Sequence, residues 1–115
     1  MSFLIGCFTM KRKAKLKWIE QAELDLLEIR ARIAQAYPTM AAKYLRRLRK
    51  SVDSLRWFPM RGWVVEELND PTVREIVFDL YRIIYHYAGA DVTILTVHRA
   101  SRLLHARYLK NIIPS

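Results

Sequence analysis

Cysteine is almost absent from the chain. A single one, Cys7, among 115 residues excludes an intramolecular disulfide, the usual staple of small secreted domains. Glycine occurs three times and proline four. So little of either excludes a collagen-like or low-complexity chain and leaves few places where a regular element must break. No apolar run approaches the roughly 20 residues that a membrane-spanning helix needs. The three histidines have no cysteine or carboxylate at ligand spacing, so no metal or other cofactor is expected.

Acidic residues are the minority charge, 11 Asp and Glu against 20 Lys and Arg, for a formal net charge of +9. Such a field calls for a polyanionic or acidic partner, either nucleic acid or an acidic protein segment. The excess is uneven. Residues 10–18 carry five bases and no acid, residues 19–58 eight bases and five acids, and residues 59–115 seven and six. The bland explanation is a solvated basic face that aids solubility. With 52% hydrophobic residues the chain has enough apolar material for the core of one small domain.

Residues 3–8 form a short apolar run, but the positive charges follow it, the reverse of a secretory signal. Met10 precedes Lys11-Arg12-Lys13 and reads as a natural start. Residues 1–9 are therefore expected to be an extension without a role in the fold, with Cys7 incidental, and residues 10–115 a single cytoplasmic domain.

From Lys13 the hydropathy alternates, with Ala14, Leu16 and Trp18 on one face, which predicts a half-buried strand. Ala22, Leu26, Ile29 and Ile33 then repeat at helical spacing over 20–36. Pro38 ends that helix and is expected in the first turn of a second, which runs to about Trp57. Its apolar stripe is Ala41, Tyr44, Leu45, Leu48, Val52 and Leu55. Lys43, Arg46, Arg47 and Lys50 form a basic stripe beside it. The period returns to two after Gly62, which predicts an extended segment over Trp63–Glu67 and strands over Val73–Phe78, Tyr81–Tyr87 and Val92–His98. Gly89 lies in the last tight turn. The tail from Arg102 to Ile113 is mixed and compatible with a short helix. The order predicts an α+β domain in which a helical hairpin covers one face of a mostly antiparallel sheet of four to five strands.

Several segments in this order carry a resemblance: Ala22 and Asp25-Leu26, Leu55 through Gly62, Glu66-Glu67-Leu68, Val73-Arg74-Glu75-Ile76, Tyr81-Arg82-Ile83-Ile84-Tyr85, and Ile94 to Arg99 with Arg102. Together, over residues 13–105, they resemble the RelE/ParE superfamily of toxins from type II toxin–antitoxin, or plasmid stabilisation, systems. The resemblance implies one of two activities. RelE-like toxins cleave messenger RNA on the ribosome. ParE-like toxins inhibit DNA gyrase. A cognate antitoxin neutralises either kind.

RNA cleavage needs a base at the 2′-hydroxyl, cations at the phosphorane-like centre and an acid at the leaving oxygen. Under that reading Arg82, His98, Arg99 and Arg102 are the site, with Tyr108 a conceivable terminal tyrosine. Some RelE-like members carry two lysines where Val73 and Glu75 stand here, and a glutamate repels RNA phosphate. The ParE-like reading is therefore preferred, the ribonuclease is the alternative, and a non-toxic nucleic-acid-binding module is a third. Under the preferred reading Lys43, Arg46, Arg47 and Lys50 receive an acidic antitoxin. Duller roles stand beside these. Arg82 can pair with Glu75 or Asp79, His98 can be a strand-end residue, and Trp57 and Trp63 fit core or edge packing better than base stacking.

Overall fold

The computed structural model describes residues 13–100 and Ile112. The expectations for residues 1–9, Arg102, His105, Tyr108 and the rest of the tail lie outside the described residues. Strand β1 (Lys15–Trp18) leads into helix α1 (Glu20–Ala36) and helix α2 (Ala41–Asp53), which ends in a 3₁₀ turn over Ser54–Arg56. Strands β2 (Trp63–Val64), β3 (Val73–Phe78), β4 (Tyr81–Ala88) and β5 (Asp91–Arg99) follow. They form one sheet in the order β1-β5-β4-β3-β2, with β1 parallel to β5 and every other pairing antiparallel. The α+β expectation holds.

The periodicities place the core. α1 buries Ala22, Leu26 and Ile29, and α2 buries Ala41, Leu45, Leu48 and Val52. These meet Ile76, Tyr81, Ile83, Tyr85, Val92, Ile94 and Val97 on one sheet face. On the opposite face Ile84, Val73 and Leu95 pack beneath Val65, with Leu68 and Ile112 against them. Strand alternation on β4 thus divides the residues as expected.

Three boundaries differ. The expected strand over Trp63–Glu67 stops at Val64, because Val65 turns inward: its N–H bonds to Val73 O, and its own carbonyl accepts from Leu68 and Asn69. Asn69, at φ 52°, takes the left-handed conformation that asparagine tolerates. Pro38 lies in a turn before α2, not inside it, and Met40 N–H closes that turn on Tyr37 O. The second helix is α-helical only to Asp53 and tightens before Trp57.

Two side chains tie the layers together. The Asp25 carboxylate, on α1, accepts the Thr96 hydroxyl and, at 3.0 Å, the Val97 N–H. β1 pairs with β5 only as far as Ile94, so Asp25 serves the part of β5 that β1 no longer covers. The fully buried Tyr85 donates its hydroxyl to Pro59 O at 2.7 Å and accepts Gly62 N–H at 3.1 Å. Burial pushes its phenol pKa above the usual value, which keeps the donor proton in place.

Tyr85→Phe leaves the Pro59 carbonyl and the Gly62 amide unsatisfied at a buried position. The expected loss is about 1–3 kcal/mol, read as a lower urea midpoint with an unchanged slope.

Candidate functional site

Two concave regions hold the residues singled out in the sequence. The first lies on the sheet face away from the helices. Arg82 leaves β4 there, with only 13% of its side chain exposed. Its Nε donates to Glu75 Oε1, and its two terminal nitrogens donate to the two Glu67 oxygens at 3.0 Å each. Glu75 reaches from β3, one strand away, and Glu67 from the turn that follows β2. These bonds, the Glu67 pair foremost, hold the guanidinium pKa well above its ordinary value against the opposing effect of burial. The Nε–H and the two-pronged end of the fork are thus already taken by carboxylates. The surrounding hollow, about 540 Å³, is lined by Glu66, Glu67, Glu75, Arg82 and Ala100. Three glutamates surround one arginine.

His98 stands directly across from Arg82 on β5. Arg99, its neighbour, pairs with Tyr81 and helps line a different cavity. Of the four residues expected for a ribonuclease, the structure brings Arg82 and His98 together, places Arg99 at the other region, and leaves Arg102 outside the described residues. The pairing of Arg82 with Glu75 agrees with the duller reading. Asp79 does not join it: from the β3–β4 turn it accepts the Tyr44 hydroxyl at 2.7 Å. Glu67 was missed, because nothing local in the sequence shows that a turn eight residues before Glu75 folds back over the sheet.

The second region is a groove of about 490 Å³ where the end of α1, the start of α2 and the β3–β4 turn converge. Ile33, Ala36, Tyr37, Met40, Leu80 and Tyr81 supply apolar walls, and Arg32, Lys43, Arg47 and Arg99 stand among them. Tyr44, part-buried at its base, has its phenol pKa raised by burial and by the Asp79 bond. Lys43 and Arg47 of the basic stripe therefore line the groove, whereas Arg46 and Lys50 do not. All four are exposed. Arg49, on the same helix, is occupied by Glu23 at 2.6 Å and by the Trp18 ring at 4.8 Å.

Among the described residues no helix is long and apolar enough to cross a membrane. Comparison with known proteins agrees with the fold. A family model described as the ParE toxin of the type II toxin–antitoxin system parDE matches residues 16–104. Toxin RelE2 of Caulobacter vibrioides is 36% identical over 91 residues, covering 78% of this chain and 99% of that protein. A solved chromosomal ParDE toxin–antitoxin system from P. aeruginosa superposes with a TM-score of 0.66 at 22% identity, over 76% of this chain and 96% of its own. The toxin–antitoxin complex RelBE2 of Mycobacterium tuberculosis does so with a TM-score of 0.51 at 19% identity, over 79% and 95%. The last two speak for the fold, and the first two for descent: this chain belongs to the ParE toxin family of type II toxin–antitoxin systems, within the RelE/ParE superfamily.

Proposed function

We propose that the chain is a cytoplasmic ParE-like toxin that inhibits DNA gyrase by binding it, needs no cofactor, and is held inactive by an antitoxin on the helical hairpin. One observation carries the choice between the two activities. The cation that a ribonuclease would turn toward the phosphorane-like centre is Arg82, and it is clamped by Glu67 and Glu75. To serve RNA it would have to leave two carboxylates for one phosphate, in a hollow whose other charges among the described residues are negative. Electrostatic stabilisation of a transition state depends on donors already aimed at the developing charge. Here the donors are aimed at glutamates.

The RelE-like reading has its own support. The Caulobacter relative bears the name RelE2, and Arg82 and His98 are cross-strand neighbours. Two assays on the purified chain separate the readings. Loss of gyrase supercoiling at stoichiometric toxin, with ribosome-bound messenger RNA intact, supports ParE-like action. Cleaved messenger RNA with normal supercoiling overturns it.

The antitoxin reading rests on the solved toxin–antitoxin relatives and on the groove, whose apolar walls carry four cations. An acidic amphipathic segment fits such a surface in both charge and polarity. In the double variant Lys43→Glu and Arg47→Glu, antitoxin affinity is expected to fall at least about tenfold, about 1.4 kcal/mol. Growth arrest by the free toxin should be unchanged. Calorimetric titration and plating after induction read the two effects.

Arg82→Met tests the clamp itself. Removing one partner of a largely buried ion pair leaves the other charges uncompensated, with an expected loss of about 2–4 kcal/mol. Arg82→Lys keeps the charge but not the fork, so it should recover only part of that loss in urea unfolding. Freeing the arginine by Glu67→Gln with Glu75→Gln should not create messenger RNA cleavage.

A further inference from the structure

The stretch from Trp57 to Val64 concentrates exposed apolar side chains. It joins the helical layer to the sheet edge, and much of its apolar side-chain surface is exposed. Trp63 is 72% exposed, Met60 61% and Phe58 55%, with Trp57 and Val64 also exposed. Exposed large apolar residues scattered singly need no explanation, but five within eight residues of chain make a patch that does. Neither tryptophan belongs to the core, and Trp63 sits on the outermost strand.

The stretch is held in place. Tyr85 fastens both Pro59 and Gly62. Arg61 bonds Ser54 Oγ at 2.9 Å and Ser51 O at 3.2 Å. Arg74 reaches across from β3 to Gly62 O at 3.0 Å. Binding by such a surface forfeits little conformational entropy, and tryptophan is the residue most enriched at interface hot spots.

The charges narrow the partner. Among the described residues Arg61 and Arg74 bond only uncharged oxygens, and Lys13 lies over the Trp57 ring at 5.4 Å. Three cations thus edge the stretch, with Glu75 across from Trp63 on β3 as the neighbouring acid. Among the described residues β2 pairs only with β3, and its other side is an edge of the sheet. A protein can hydrogen-bond to that edge, whereas a bilayer core cannot. Trp57 and Trp63 offer rings on which a nucleic-acid base also stacks, and it is the main-chain edge of β2 that favours a protein.

We propose that Trp57–Val64 is the surface by which the toxin docks on its protein target, and that the target presents an apolar strip bordered by carboxylates. The inference rests on the toxin reading but not on the choice of gyrase. The surface also lies apart from the groove. β4 starts at Tyr81, which lines the groove, and ends near Tyr87, which lines a second cavity with Trp57 and Pro59. One toxin can therefore keep separate ends for antitoxin and target.

The test uses the full chain with Trp57→Ser, Met60→Ser and Trp63→Ser together, and Trp63→Arg alone as a variant confined to the most exposed side chain. Circular dichroism and the melting temperature check folding. The expected result is recovery of viable counts by at least a hundredfold on induction at equal expression. Antitoxin affinity should stay within about threefold of the parent. Full growth arrest by both folded variants overturns the proposal, and so does a loss of antitoxin binding in its place. Co-sedimentation of the parent with phosphatidylglycerol vesicles, or capture of a single-stranded RNA oligomer, overturns it if the same substitutions abolish that binding. A supercoiling assay on the parent judges gyrase separately: if supercoiling is untouched while growth stops, the gyrase reading fails and the docking surface still stands or falls by the plating result.

Discussion

The hydroxyl of Tyr85 is the constraint on which the arrangement turns. Its ring lies wholly inside the core between helices and sheet. A phenolic oxygen that deep must find partners, because an unsatisfied one costs about as much as several buried methylenes offset. It finds two, one on each side of the turn between the 3₁₀ segment and β2. That fixes where the chain crosses from the helical layer to the sheet. It also dictates Gly62: a Cβ there would lie 2.6 Å from Glu75 O and 2.6 Å from the tyrosine oxygen, so any side chain would push the turn off its anchor. With the turn fixed, β2 must pair with β3, the turn after β2 must pass over the sheet, and Glu67 arrives at Arg82.

Two carboxylates show how similar chemistry is put to different ends. Asp25 lies at the second turn of a helix and takes the hydroxyl and amide that the short β1 leaves to it on β5. It completes a hydrogen-bond ladder. Glu67 instead takes a charge. With Glu75 it converts the single buried cation of the sheet face into a neutral or negative patch. In a chain of net charge +9 that is a local reversal of sign. That reversal is the ground on which the proposed reading sets phosphate aside at this face.

Much of the fold was legible because its elements are strongly periodic. The apolar positions of both helices, the division of β4 into Tyr81, Ile83 and Tyr85 against Arg82 and Ile84, and the Gly89 turn at φ 63° follow from spacing and residue type. What could not be read depends on contacts between distant residues. The parallel pairing of β1 with β5 joins Lys15 to Asp91. Nothing at either end announces it, since short strands of either orientation share the same alternation. The early stop of β2 comes from Val65 turning under the sheet, and an apolar residue in an apolar–polar run reads equally well as strand. At the site, the cations were legible as residues, but their state was not. A sequence shows that Arg82 exists and that Glu75 is near in register, not that Glu67 returns to close the fork.

The basic excess can now be assigned by place. The sheet face spends its arginine internally, and Arg49 and Arg56 are held by Glu23 and Asp53. Two groups of cations stand beside apolar surface at separate ends of the molecule. At one end Arg32, Lys43, Arg47 and Arg99 surround a concave groove. At the other, Lys13, Arg61 and Arg74 edge a run of aromatic and aliphatic side chains. Charge by itself suggested a polyanion, and a uniform basic face would have fitted one. Cations on the rims of apolar surfaces fit protein partners better, because there the charge guides approach and the apolar contact supplies the affinity.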